Sequence, residues 1–293
     1  MAMQRPTSWT LAAALCAVSL VFLAPPRSAA AQEIQITGPL AGAPAVRRMR
    51  VYREGRFQLK PTVSFSLQDE FSRAIFFGAE ANYHFFDWFG IGIAGAGAPV
   101  QINTDLTNEI AANGVATDRN RLSLPTASGF DDQIATWNWW LTVQAVFIPL
   151  RGKLALFQNF FLDTDFFVTA GFALAGIEER SDVAAGTCDP VEPNLMVPEA
   201  CFDSQTDRSS RIAPTGTFSV GLSVYANDFF GLTLEYRAMP FAWNTSGFDN
   251  RNSNGNADNP DGRIDDNDRT LQFNQLFTIG FTFYLPTEAK RSP

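Results

Sequence analysis

From about residue 56 onward, apolar and polar positions alternate with a period of two. In the last such segment Leu271, Phe273, Phe277, Ile279, Phe281, Phe283 and Leu285 share one face, and Gln272, Asn274, Thr278, Gly280, Thr282 and Tyr284 share the other. Residues i and i+2 of a strand point the same way, so this segment is a strand with one apolar and one small or polar face. Residues 57–67 set Phe57, Leu59, Val63, Phe65 and Leu67 against Gln58, Lys60, Thr62, Ser64 and Ser66. Residues 215–225 set Phe218, Val220, Leu222 and Val224 against Thr217, Ser219, Gly221, Ser223 and Tyr225. The pattern predicts eight strands, at about 56–68, 73–86, 88–99, 133–148, 162–177, 214–226, 229–243 and 270–285.

A soluble sandwich also alternates, but its polar faces meet water and are rich in Lys and Glu. Here they are Gly, Ser, Thr, Asn and Gln, and the apolar faces are crowded with Phe, which numbers 27 in the chain. Connection lengths alternate too. The strands meet tightly at Phe86-Asp87-Trp88 and Asn227-Asp228-Phe229, and a modest segment, 149–161, joins the fourth to the fifth. Long connections span 100–132, 178–213 and 244–269, with only the first hairpin, Asp69 to Ser72, short on that side. Apolar-out alternation with short turns on one rim and long loops on the other predicts an all-β, transmembrane, antiparallel up-and-down barrel of eight strands with long extracellular loops. Phe85, Phe160, Phe161 and Tyr284 are expected in the aromatic girdle at the periplasmic interface, and Trp137, Trp139, Phe241 and Trp243 in the outer one.

Residues 1–31 carry Arg5, an uncharged apolar run from Trp9 to Leu23 and Ala29-Ala30-Ala31 before Gln32, the layout of a secretory signal peptide. The run is shorter than the roughly 20 residues of a spanning helix. Residues 32–55, with Pro39, Pro44, Arg47, Arg48, Arg50 and Arg53, are expected to form a periplasmic arm, residues 56–286 the barrel and 287–293 a periplasmic tail. Loss of the leader removes two basic residues from 22 and none of the 30 acids, leaving a net charge of −10. That acidity disfavours a nucleic-acid partner. Cys188 and Cys201 remain, an even count in an exported chain, so a disulfide within the third long loop is expected.

The run Thr37-Gly38-Pro39-Leu40-Ala41-Gly42-Ala43-Pro44-Ala45-Val46-Arg47 is followed by Tyr52-Arg53-Glu54-Gly55-Arg56. Further on stand Asp69-Glu70-Phe71 and Tyr83-His84-Phe85-Phe86-Asp87-Trp88-Phe89-Gly90-Ile91-Gly92. These segments resemble the outer-membrane β-barrel domain proteins found largely in myxobacteria and relatives, over residues 36 to 285. The resemblance implies a small eight-stranded barrel in the bacterial outer membrane and no assigned activity. Many outer-membrane proteins end on an aromatic that assists insertion, whereas here Leu285-Pro286 precedes a polar tail, which shifts that role to Phe283-Tyr284-Leu285.

The register turns few ionisable residues into the lumen: Lys60, Glu80, His84, Asp163, Asp165, Glu235 and Arg237. Eight strands enclose a space just wide enough for side chains. Charges there must pair, which predicts a salt-bridged plug. The chain has one histidine, His84, and no phosphate loop, Cys-x-x-Cys or His-x-x-x-His, so no nucleophile–base constellation suggests an enzyme. The last long loop is rich in Asn, Asp and Gly. Asn250, Asn252, Asn254, Asp258 and Asp261 fit one oxygen-ligand frame for calcium, and Asp261, Asp265 and Asp268 fit a second, overlapping one in the 249–268 loop; a solvated turn-rich loop is the other reading. The expected function is a non-catalytic outer-membrane barrel with a structural or surface-interaction role, its partners the lipid bilayer and envelope or cell-surface proteins. A narrow pore or small-solute sensor is the alternative, and a lipid-modifying enzyme the weakest.

Overall fold

The computed structural model describes residues 51–67, 69–114, 130–156, 160–180, 183–184, 208–251 and 263–287. Among these described residues are ten strands: β1 Arg56–Leu67, β2 Ser72–Phe86, β3 Phe89–Asn103, β4 Thr136–Leu156, β5 Phe160–Arg180, β6 Val183–Ala184, β7 Arg208–Tyr225, β8 Phe230–Trp243, β9 Arg263–Ile264 and β10 Thr270–Leu285. Eight of them close into a barrel in the order β1-β10-β8-β7-β5-β4-β3-β2. Each barrel strand is antiparallel to both neighbours, and Phe57 of β1 pairs with Leu285 of β10 to seal the ring. The remaining two, β6 and β9, form a separate ribbon that joins the connections 178–213 and 244–269 through Val183 and Ile264.

Closure leaves the ladder without an edge, and the period-two pattern decides what each face meets. On β10 Phe273, Phe277, Ile279, Phe281 and Phe283 lie outside, while Asn274, Thr278, Thr282 and Tyr284 are buried within. Phe172 is 79% exposed, Val143 62% and Ile93 56%, and large apolar side chains recur around the ring. A face this apolar, continuous around a closed sheet, matches hydrocarbon rather than water. Among the described residues no helix is long and apolar enough to cross a membrane.

Four strand ends differ from the sequence expectation, those of β4, β5 and β7. The segment 149–161 is not a plain connection: β4 and β5 continue to Leu156 and from Phe160, pairing Arg151 with Asp165 beyond a register shift between Phe147 and Leu150. Pro149, which has no N–H to give the ladder, sits at that shift. At the opposite rim β5 and β7 stay paired up to Arg180 and Arg208. Both faces of this extension carry polar residues, so alternation ends although backbone pairing does not.

The interior divides into two halves. Toward the long-loop rim Phe76, Trp137, Trp140, Met239, Phe241, Trp243 and Leu276 pack into one apolar cluster. Three of these contradict the expected outer girdle: Trp137, Phe241 and Trp243 are 3–4% exposed and face the lumen, leaving Trp139 at 37% outside. Phe241 and Trp243 share the parity of Glu235 and Arg237, so the β8 period itself turns them inward. On β4 a register shift between Trp137 and Trp139 reverses parity, which lets Trp137 and Trp140 both point in. Tyr284, also expected at the interface, is fully buried for the same reason of parity, whereas Phe85 is exposed as expected. The side chains of Phe160 and Phe161 lie outside the described set. Space for the aromatic cluster comes from β3, whose inward positions are Gly90, Gly92, Ala94, Ala96 and Ala98. At Gly92 a Cβ would fall 1.8 Å from Asn82 Oδ1, so glycine is required beside that amide.

The long-loop rim is bridged by chords between non-adjacent strands. Thr104 caps a helix, α1 Asp105–Asn113, and its hydroxyl donates to Glu70 O at 2.6 Å. Phe130 stacks edge-on against Phe71 and lies 5.9 Å from Phe248. Gln133 Nε2 donates to Ser246 O and Arg180 Nη1 to Gly247 O.

If the exterior meets lipid, Val143→Arg should cost about 2–4 kcal/mol, the range for a basic residue near the middle of a barrel's apolar band. Urea unfolding in phospholipid vesicles measures it. A change within about 0.5 kcal/mol, as for an ordinary water-facing surface site, would contradict a membrane-facing exterior.

Candidate functional site: the lumen plug

Adjacent strands bring the predicted lumen charges together because inward positions at one level are cross-strand partners. Lys60 on β1 pairs directly with Glu80 on β2, and Lys60 Nζ lies 2.7 Å from Glu80 Oε1. On β8, Glu235 and Arg237 are two residues apart on the same face and pair at 2.6 Å. The two pairs meet across the lumen: Lys60 Nζ is 3.6 Å from Glu235 Oε2, and Arg237 Nη2 is 3.7 Å from Glu80 Oε2. Two cations and two carboxylates thus close a neutral ring, every member no more than 3% exposed.

Neutral neighbours satisfy what the ring leaves over. Arg237 Nη1 donates to Gln144 Oε1 at 2.8 Å, and its guanidinium lies over Trp140. Asn82 Nδ2 donates to Glu80 and to Gln58, and His84 Nε2 lies 3.1 Å from Gln58 Oε1. His84 therefore joins the plug through Gln58 rather than through Glu80. Ser64–Thr278, Thr169–Ser219, Ser223–Thr233 and Thr233–Thr282 form hydroxyl pairs along the walls. Between this layer and the short-turn rim a cavity of only about 10 Å³ remains, bordered by Lys60, Asp165, Ser223 and Tyr225, room for one water.

Asp165 is not part of the ring. It pairs with Arg53, a residue of the expected arm that enters the barrel from the short-turn rim and is fully buried. Arg53 Nε donates to Tyr284 Oη at 3.0 Å, and Tyr284 and Tyr225 Oη are 3.2 Å apart. Asp163 is half-buried on β5, in register with Tyr225 of β7. The turn that delivers Arg53 depends on Gly55, at φ +72°, where the chain reverses into β1. Arg56 then fastens the rim: its guanidinium donates to the carbonyls of Tyr52, Asp228, Pro286 and Thr287. Sequence reasoning missed Arg53 and Arg56 because their segment has no periodicity. The signal available was a glycine turn flanked by arginines directly before the first strand.

Asp87 in the β2–β3 turn anchors the arm from outside. Its Oδ1 accepts the backbone N–H groups of Arg53 and Glu54 at 2.8 and 3.2 Å, and Arg151 lies 3.3 Å from Oδ2. Burial alone would raise its pKa, but those N–H groups and the guanidinium together hold it below the ordinary carboxylate value.

Cys188, Cys201, Asn252, Asn254, Asp258 and Asp261 lie outside the described residues. Of the remaining loop residues, Asp268 accepts the N–H groups of Asn250, Arg251 and Asp265, and Asp265 accepts from Asn267, so both carboxylates cap a short turn. Among the described residues no group of three or more His, Cys, Asp or Glu could hold a metal ion.

An edgeless eight-strand ring, apolar outside and filled by paired charges within, defines a small transmembrane β-barrel with a closed lumen. No family model matches the chain, and no curated protein matches it. Solved structures that resemble it include the N-terminal β-barrel domain of Pseudomonas aeruginosa OprF, at 7% identity and TM-score 0.39, covering 79% of this chain and 98% of that one. The outer membrane protein OprG of Pseudomonas aeruginosa has 8% identity and TM-score 0.39, covering 81% and 99%. Neisserial surface protein A has 8% identity and TM-score 0.34, covering 78% and 94%.

Two outcomes test the plug. Glu80→Leu alone should cost about 3–5 kcal/mol by stranding a buried cation, and Lys60→Met/Glu80→Leu together should recover most of that, as measured by urea unfolding in vesicles. Equal losses in both proteins would show that the pair is not the source. Asp87 has a depressed folded pKa, so its stabilisation is present above the unfolded value of 3.8 and fades as pH falls through the folded one. Asp87→Asn should therefore be less stable than the parent at pH 7, with the gap narrowing below about pH 4. A gap constant from pH 7 to pH 3 would rule out an ionised anchor.

Proposed function

We propose that the protein is a non-catalytic outer-membrane β-barrel that presents its loops at the cell surface while its lumen stays shut, in a structural or surface-interaction role. The observation that carries this reading is the filling of the lumen at three levels: the aromatic cluster, the Lys60–Glu80–Arg237–Glu235 ring and the Arg53 arm. A solute path would need a continuous polar route, and the cluster of Phe76, Trp137, Trp140 and Trp243 interrupts it. The single histidine of the chain supports a non-catalytic role, because His84 is fully buried against Gln58. The secretory leader supports export, and an exported edgeless barrel with an apolar exterior suits the bacterial outer membrane. The motif at residues 37–56 supports grouping the chain with the outer-membrane β-barrel domain proteins found largely in myxobacteria and relatives. Both rims then have an orientation, with the short turns and the Arg53 arm in the periplasm and the bridged long loops outside.

On a gel of an unboiled outer-membrane fraction the folded protein should migrate apart from its boiled form. In planar bilayers it should give no stable, porin-sized conductance. Absence from the membrane fraction, with no mobility shift, would sink the barrel assignment. Steady porin-sized channels would sink the closed lumen while leaving the barrel intact.

A further inference from the structure

The lipid-facing surface is uneven. Along β2 the outward positions run Ile75, Phe77, Ala79, Ala81, Tyr83 and Phe85, so two alanines stand between bulky neighbours. The ladder puts Pro61 of β1 and Gly95 of β3 in register on either side of Ala79, and Leu141 of β4 beyond Gly95. One level nearer the short-turn rim, Leu59, Ala81 and Ile93 are in register. Pro61, Ala79, Ala81 and Gly95 thus form a floor, and Leu59, Ile93 and Leu141, each more than 40% exposed, form the walls. The groove between them has a volume of about 440 Å³. At a liquid volume of about 30 Å³ per water-sized group, that accommodates on the order of fifteen such groups.

We propose that this groove seats one acyl chain of a membrane phospholipid. Three observations select that occupant. First, the groove is continuous with the apolar exterior, where a polar ligand would be stranded and hydrocarbon is the surrounding medium. Second, Ala79 and Gly95 stand at the middle of β2 and β3, so the groove lies at the mid-height of the barrel, a level that the acyl chains of a bilayer reach and headgroups do not. Third, a two-fold pairing of this chain through the groove would set one hollow against the same hollow, since an isologous contact must be self-complementary. A flexible chain fills a hollow that a second barrel leaves void. The inference rests on the outer-membrane reading, and the test separates the two.

The full mature protein is reconstituted with phosphatidylethanolamine and phosphatidylglycerol, exchanged into detergent and weighed by native mass spectrometry. The expected result is a barrel retaining one phospholipid. Ala79→Phe and Ala81→Leu should each lower the retained fraction about tenfold, equivalent to about 1.4 kcal/mol in binding. Ala170→Phe, an outward substitution on β5 away from the groove, should leave it unchanged. Each variant is first checked for the mobility shift of the folded barrel, so a misfolded variant is replaced by the other. Wild type without an adduct, or equal retention in all four proteins, overturns the proposal. A two-chain species lost on Ala79→Phe assigns the groove to a second copy and overturns it too. A wild type with no mobility shift refutes the outer-membrane barrel itself, which is a different failure.

Discussion

Hydrocarbon supplies no hydrogen bond, and nearly everything else in this molecule follows from that. A sheet in such a medium must close, so β1 and β10 pair although more than 200 residues separate Phe57 from Leu285. Closure at eight strands makes the interior as narrow as a packed core, and strict alternation sends every second side chain into it. Charges that arrive there cannot be solvated by bulk water. They persist because Lys60, Glu80, Arg237 and Glu235 sum to zero charge and meet one another across strands that are not all neighbours. The ring is thus a device that permits four ionised groups inside a dry barrel, and it also ties β1 and β2 to β8 through the lumen.

The division of the interior has a comparable origin. Rigid aromatics occupy the half toward the long loops, where β3 offers Ala94, Ala96 and Ala98, and polar groups occupy the half toward the short turns. Each half solves the packing of the same narrow tube differently. The apolar half excludes water by volume, and the polar half by pairing. The arm then closes the polar half with one more cation, Arg53, against one more carboxylate, Asp165.

Much of this was legible in the residue order, and the failures have identifiable causes. The period of β1, β7 and β10 placed Lys60, Ser219, Thr278 and their outward partners correctly, because a regular strand in register admits only two orientations. Lys60 and Glu80 could be expected to meet for the same reason. Trp243 and Phe241 were legible in the same way from the parity of Arg237, yet an expectation that aromatics gather at interfaces pointed them outward. Trp137 was not legible, since a single extra residue in β4 reverses its parity without any mark in the sequence. The period of β5 turns Asp165 inward, but its partner was not foreseeable. Arg53 reaches it from an aperiodic segment, and only the backbone reversal at Gly55 brings the two together.

The clasp of Arg56 implies an order of events. Its guanidinium holds the carbonyls of Pro286, Thr287 and Asp228, which reach their places only when the last strands have docked on the first. The seam is therefore the contact of highest sequence separation and the slowest to find, since loop-closure entropy must be overcome before such a contact is rewarded. In kinetic terms the clasp acts as a latch: a contact made only once the seam has closed acts on the rate of reopening.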